Sequence, residues 1–214
     1  MAKINYTEAE MINLFGLTKI EAAYTPLMMK WLQVEVPDLD IVETSLFEKK
    51  LANAIAKLRF WNEEKLKMHF ITYILLLGRL EDTETYSLHY EKKLEHTVNN
   101  IPLSVQTDFM IATGKNEVYE HPFFHFQEYK PEKNPSGDSM SQLLQAMLIA
   151  QAKNNDGKPI YGCEIIGKSW CFVILEGSTY CISSSYDAIN KEKLLEIIAI
   201  LRKFKHILET ELID

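Results

Sequence analysis

Three residues of this 214-residue chain are spaced so that they could do chemistry together. Asp108 sits in Thr107-Asp108-Phe109, and Glu128 and Lys130 follow in Phe124-His125-Phe126-Gln127-Glu128-Tyr129-Lys130-Pro131. Both segments read as β-strands, in which side chains on one face recur every second residue. In the first, Gln106, Asp108 and Met110 alternate with Val105, Thr107, Phe109 and Ile111. In the second, Phe124, Phe126, Glu128 and Lys130 share a face that begins apolar and ends charged. Burying a carboxylate and an ammonium there is costly unless both have a partner or a task. A divalent cation held by Asp108 and Glu128, with Lys130 beside it, meets that requirement. The simpler alternative for Glu128 and Lys130 is an ion pair at a sheet edge, worth under about 1 kcal/mol if exposed.

The elements that must position these residues can be laid out in order. Residues 1–45 form an irregular or helical preface broken at Pro26 and Pro37. From Ser45 a helix is predicted, because Phe47, Leu51, Ala54, Ile55 and Leu58 recur at spacings of three and four. Asn62 caps a second helix, with Glu63 and Glu64 in the acidic first turn that the helix dipole favours. That helix runs through Leu66, Phe70, Ile71, Ile74 and Leu75 and ends near Gly78. Strands follow at Tyr86–Tyr90 and Leu94–Val98, with a turn at Asn99-Asn100. The Asp108 strand spans Val105–Ala112 and closes at Gly114-Lys115-Asn116; the Glu128 strand spans Pro122–Lys130. After a loop at Pro135-Ser136-Gly137-Asp138 comes a helix over Ser139–Lys153. Three short strands, Ile160–Ile166, Trp170–Leu175 and Thr179–Ser183, then form a meander through Gly167-Lys168 and Gly177-Ser178. A last helix from Lys191 carries Leu194, Ile198, Leu201, Phe204 and Leu208 on one stripe. This order predicts an α/β fold with a mixed central sheet flanked by helices. Its parts are an N-terminal extension (1–45), a main domain (46–190) and a C-terminal helix (191–214) that packs on the core or on a second subunit.

Composition narrows the function. Hydrophobic content of 47% and charged content of 25% are ordinary for a globular protein. The longest apolar run, Phe70–Leu77, falls far short of the roughly 20 residues a membrane span needs. Met1-Ala2-Lys3-Ile4-Asn5 shows no secretory signal, and Cys163, Cys171 and Cys181 lack metal-type spacing, so the expectation is reduced thiols in a cytoplasm. The net charge of −7 excludes a surface that is basic throughout. Any nucleic-acid contact must be local, or come from an oligomer or a partner. Lys49, Lys50, Lys57, Arg59, Lys65 and Lys67 lie near Glu63 and are either a phosphate-contacting patch or a solvated helix face.

An acid on one strand, Glu-x-Lys on the next, a glutamate on the preceding helix and a glutamine on the following one resembles the PD-(D/E)XK nuclease superfamily. The likeness covers roughly residues 45–190. Glu63, in Asn62-Glu63-Glu64-Lys65-Leu66-Lys67-Met68-His69-Phe70-Ile71, looks like the helix glutamate of type I restriction subunits, with Glu64 as its alternative. Gln142 in Ser141-Gln142-Leu143-Leu144 matches the helix glutamine, with Gln145 next. Thr107 stands where the family's name-giving proline would be. The resemblance implies a restriction-endonuclease-like core and hydrolysis of DNA phosphodiester bonds, in a defence or mobile-element setting. It implies Mg²⁺ or Mn²⁺ on Asp108, Glu128 and the Tyr129 carbonyl, with Glu63 binding a second cation directly or through water. Lys130 would orient the attacking water, and Gln142 would position that water or a phosphate oxygen. A homodimer or a partner subunit is left open.

Two other functions fit the same residues. One is a superfamily member that has lost catalysis and serves as a nucleic-acid-binding or regulatory module with a partner. The other is an α/β binding protein in which the motif is accidental. Retention of Asp108, Glu128 and Lys130 together favours the nuclease over the module. Hydrogen-bonded burial of all three around a common point separates both from the accident.

Overall fold

The computed structural model describes residues 6–22, 25–115, 118–133 and 137–213. The turn expected at Gly114-Lys115-Asn116 and the loop expected at Pro135-Ser136 fall partly outside these residues, as do Met1–Asn5. The fold is α/β, with a mixed eight-stranded sheet between two helical layers.

Local signals start the helices where the chain needs them. Helix α1 (Glu8–Phe15) begins at a capping box between Thr7 and Glu10, and α3 (Ile41–Lys57) at one between Asp40 and Glu43. Between them lie strand β1 (Thr18–Glu21) and helix α2 (Pro26–Leu32). Asn62 accepts from the Lys65 N–H and opens α4 (Glu63–Leu66), which continues through a π-helical turn (Lys67–Ile71) into α5 (Thr72–Leu77). Then come strands β2 (Ser87–Val98), β3 (Ile101–Lys115) and β4 (Val118–Lys130), helix α6 (Ser139–Asn154), and strands β5 (Ile160–Ile166), β6 (Ser169–Glu176), β7 (Thr179–Ile182) and β8 (Tyr186–Asp187). Helix α7 (Lys191–Ile207) and a π-helical turn (Leu208–Leu212) end the described chain. No helix among the described residues is long and apolar enough to cross a membrane.

Sheet order is β1-β7-β6-β5-β4-β3-β2, with β8 paired to β6. Strands β2, β3 and β4 run as an antiparallel meander, and α6 carries the chain over to β5, which lies parallel to β4. A parallel pair needs such a crossover, because a tight turn cannot return the chain to the same end of the sheet. Gly162 on β5 makes room for α6: a Cβ there would lie 3.2 Å from both Leu143 and Met147. The first 45 residues do more than precede a domain. Strand β1 joins the sheet edge parallel to β7, and Trp31 of α2 is fully buried, its Nε1–H donating to the Ile200 carbonyl at 3.0 Å.

Each face of the sheet has its own apolar core. One collects α2, α3, α5 and α7 through Trp31, Phe47, Ile74, Phe109, Tyr129, Phe172 and Phe204. The other collects α1 and α6 through Met11, Phe15, Met110, Phe126, Leu144, Met147 and Tyr180. Irregularities break strict alternation on both sides of the candidate residues. Ile111 pairs with His125 but Ala112 with Phe123, so Phe124 is an extra, bulged residue. This corrects the expectation that Phe124 shares a face with Phe126: Phe124 packs in the first core and Phe126 in the second. On β3, Phe109 and Ile111 belong to the first core, whereas Leu103 and Val105, of the same parity, belong to the second. That change of face falls opposite Glu91, whose φ of 52° is left-handed. A β2–β3 ladder in continuous register, closed by Asn99 and Asn100 at positive φ, thereby curls its far end over α6.

Candidate active site

Asp108 lies where the β2–β3 hairpin changes face, beside Glu91 and one step beyond the Phe109–Gln127 pair. Its Oδ2 accepts from the backbone N–H of Tyr129 at 2.7 Å, which ties β3 to the end of β4. Its Oδ1 accepts from Lys67 Nζ at 2.8 Å. On the last turn of the pleat, Lys130 donates to Glu128 Oε1 at 2.7 Å. Exposures of 8% for Asp108, 3% for Glu128 and 6% for Lys130 place all three inside the protein. They are hydrogen-bonded, as buried charges must be.

Lys67 completes the cluster. Its ammonium lies 2.8 Å from Asp108, 3.0 Å from Glu63 and 2.5 Å from Glu91, and Glu91 in turn accepts from Gln106 Nε2 at 3.0 Å. Burial alone would lower the Lys67 pKa, yet the three carboxylates hold it above its ordinary value. Lys130 is likewise lowered by burial but raised on balance by Glu128.

The acids carry the opposite imbalance. Burial, then the Asp108 charge, pushes Glu128 up to about 8 against the opposing Lys130 ammonium. Burial also raises Asp108, although Lys67 and the Tyr129 N–H favour its ionised form. Four carboxylates (Glu63, Glu91, Asp108, Glu128) therefore face two ammoniums, a formal excess of two negative charges. A hard divalent cation suits that deficit and these oxygen donors. Among the described residues, no three Asp, Glu, His or Cys side chains form a ready metal cage. Lys67 holds the space between Asp108, Glu63 and Glu91 instead.

The remaining sequence-derived residues are placed as follows. Glu63 opens α4 and reaches the cluster through Lys67; Glu64 lines the neighbouring cleft. Gln142 is half-buried on the first turn of α6, its Oε1 without a hydrogen-bond partner, and no hydrogen bond links it to Asp108 or Glu128. Gln145, one turn on, is fully buried with neither amide atom bonded. Tyr129 contributes its N–H to Asp108, while its hydroxyl donates to Gln127 Oε1 at 2.6 Å. Gln127 continues to His125 Nε2 at 3.1 Å, and burial pushes that imidazole down to about 3, so it is neutral. A buried polar chain thus fixes β4 from beneath the site.

Sequence reasoning missed the roles of Lys67 and Glu91. Lys67 stands four residues after Glu63, the spacing of a helical ion pair, and that signal was available. Glu91 had no such signal, because it meets Lys67 and Gln106 from a left-handed position of its own on β2. Glu164 is a further neighbour: it is the β5 partner of Glu128 and is held by the Ser139 hydroxyl at 2.5 Å. A cleft of about 420 Å³ opens beside Asp108, lined by Lys67, Met68, Tyr90, Glu91 and Tyr129 among others. No protein-family model and no curated protein matches the chain.

Proposed function

We propose that this protein is a metal-dependent nuclease of the PD-(D/E)XK kind, hydrolysing phosphodiester bonds in DNA. The observation that carries the reading is the burial of Asp108, Glu128 and Lys130, each hydrogen-bonded, with the Asp108 charge close enough to raise the Glu128 pKa. The order of elements around it supports the same reading: helix, three-stranded antiparallel meander, crossover helix, parallel strand. An accidental Glu-x-Lys at a sheet edge would be exposed, and this one is not.

Mg²⁺ or Mn²⁺ on Asp108 and Glu128, with Glu63 and the Tyr129 carbonyl as further oxygen donors, would polarise the scissile phosphate and lower the pKa of a bound water. The protein's own groups do the rest. Tyr129 holds Asp108 in a fixed orientation through its N–H. Lys130 orients the attacking water and offsets the charge that develops on the phosphoryl oxygens. Water adds to phosphorus, one P–O ester bond breaks, and a terminal phosphate and a hydroxyl are left. Gln142, with a free amide oxygen, accepts from that water or leaves the step unaided.

A second reading has its own observation: Lys67 already neutralises Asp108, as it would in a non-catalytic nucleic-acid-binding or regulatory module. The deciding experiment is cleavage of plasmid and single-stranded DNA with Mg²⁺ or Mn²⁺, wild type beside Asp108→Ala. Metal-dependent cleavage that vanishes in the variant supports the nuclease. No cleavage by either protein, with or without metal, supports the module.

A further inference from the structure

Phe60 ends the 3₁₀ turn Leu58–Phe60 and is 67% exposed, while the next residue, Trp61, is buried against Phe70. The turn is therefore anchored from below and presents a bare aromatic ring above. Two cations attend that ring: the Arg59 guanidinium carbon at 4.9 Å and Lys133 Nζ at 5.3 Å from its centroid. They come from different parts of the chain. Phe60 precedes Glu63 by three residues, and Lys133 follows Lys130 by three. The contact between Phe60 and Lys133 therefore draws together the two segments that deliver Glu63 and Lys130 to the candidate site. The end of β4 is itself pinned, since the Gly167 N–H donates to the Lys130 carbonyl at 2.8 Å.

We infer that Phe60, Arg59 and Lys133 form a binding platform for an unpaired stretch of DNA leading into the Asp108–Glu128–Lys130 site. This rests on the nuclease reading for its orientation, though not for its chemistry. An exposed ring offers a stacking surface to any base, and only an unpaired base has a free face to give. The flanking guanidinium and ammonium neutralise the adjacent phosphates, the local basic contact that a chain of net charge −7 requires. A base settling on the ring takes the place of the Lys133 ammonium, which moves to the phosphate beside it. A duplex keeps its bases stacked internally and gains only the phosphate contacts, so the platform selects single-stranded or frayed DNA.

The test is fluorescence anisotropy of a labelled single-stranded oligonucleotide and of its duplex, in EDTA so that nothing is cut. Wild type should bind the single strand more tightly than the duplex. Phe60→Ala should weaken single-strand binding about tenfold, and Phe60→Trp should preserve it. Lys133→Ala should lower the salt dependence by about one phosphate contact. Equal binding by wild type and Phe60→Ala, equal binding of strand and duplex, or no binding at all would each overturn the platform. Cleavage of the same substrates is scored separately. Binding lost in Phe60→Ala without any cleavage by wild type removes the nuclease and leaves the platform; cleavage with unchanged Phe60→Ala binding does the reverse.

Discussion

Glu128→Gln isolates the charge imbalance at the heart of the site. In the folded protein the Glu128 carboxyl titrates at about 8, against an ordinary 4.5. At about 1.4 kcal/mol per pH unit, ionising it inside the fold costs on the order of 5 kcal/mol. The sign follows from proton counting. Between pH 4.5 and about 8 the native state keeps a proton that the unfolded chain has released, so stability falls as pH rises and levels off above 8. The groups facing Glu128 are Asp108 and Glu63, which deepen the loss, and Lys130, which limits it. Urea unfolding in EDTA between pH 5 and pH 9 should show wild type losing several kcal/mol relative to Glu128→Gln, a difference from which the titration of buried His125, present in both proteins, cancels. Adding Mg²⁺ should flatten the wild-type curve, because a cation favours the ionised carboxylate. Parallel pH profiles for the two proteins in EDTA would refute the claim that Glu128 is a strained acid.

Lys67→Met removes the ammonium shared by Asp108, Glu63 and Glu91, and should cost about 2 kcal/mol in metal-free buffer, discounted for partial exposure. Thermal unfolding should then show a larger Mg²⁺-induced stabilisation in the variant than in wild type, since the lysine no longer competes with the cation. Tyr129→Phe leaves Gln127 Oε1 buried without its donor and should cost about 2 kcal/mol by urea unfolding. An unchanged midpoint would mean that the buried chain from Tyr129 to His125 does not brace β4.

Local signals carried much of this fold. Asn62 does cap α4, Asn99-Asn100 does close the β2–β3 hairpin, and Ile160–Ile166 is a strand with the expected bounds. The buried grouping of Asp108, Glu128 and Lys130 was legible because period-two spacing and apolar approach were both in the sequence. Long-range choices were not legible. Pairing of β1 with β7 joins distant segments, and four half-polar residues cannot advertise a partner. The bulge at Phe124 hides inside a run of aromatics that suits either face. Glu91 at φ 52° reverses the hairpin's faces with no glycine to announce it. The basic run around Glu63 reads as either a phosphate-contacting patch or a solvated helix face, whereas Lys65 stays exposed and Lys67 turns inward to Asp108, Glu63 and Glu91.

The most direct measurement is a calorimetric Mg²⁺ titration of wild type beside Asp108→Ala. Asp108 and Glu128 sharing a divalent cation predicts a binding isotherm for wild type that disappears in the variant. An absence of metal binding in wild type, or identical isotherms for the two proteins, would contradict the account.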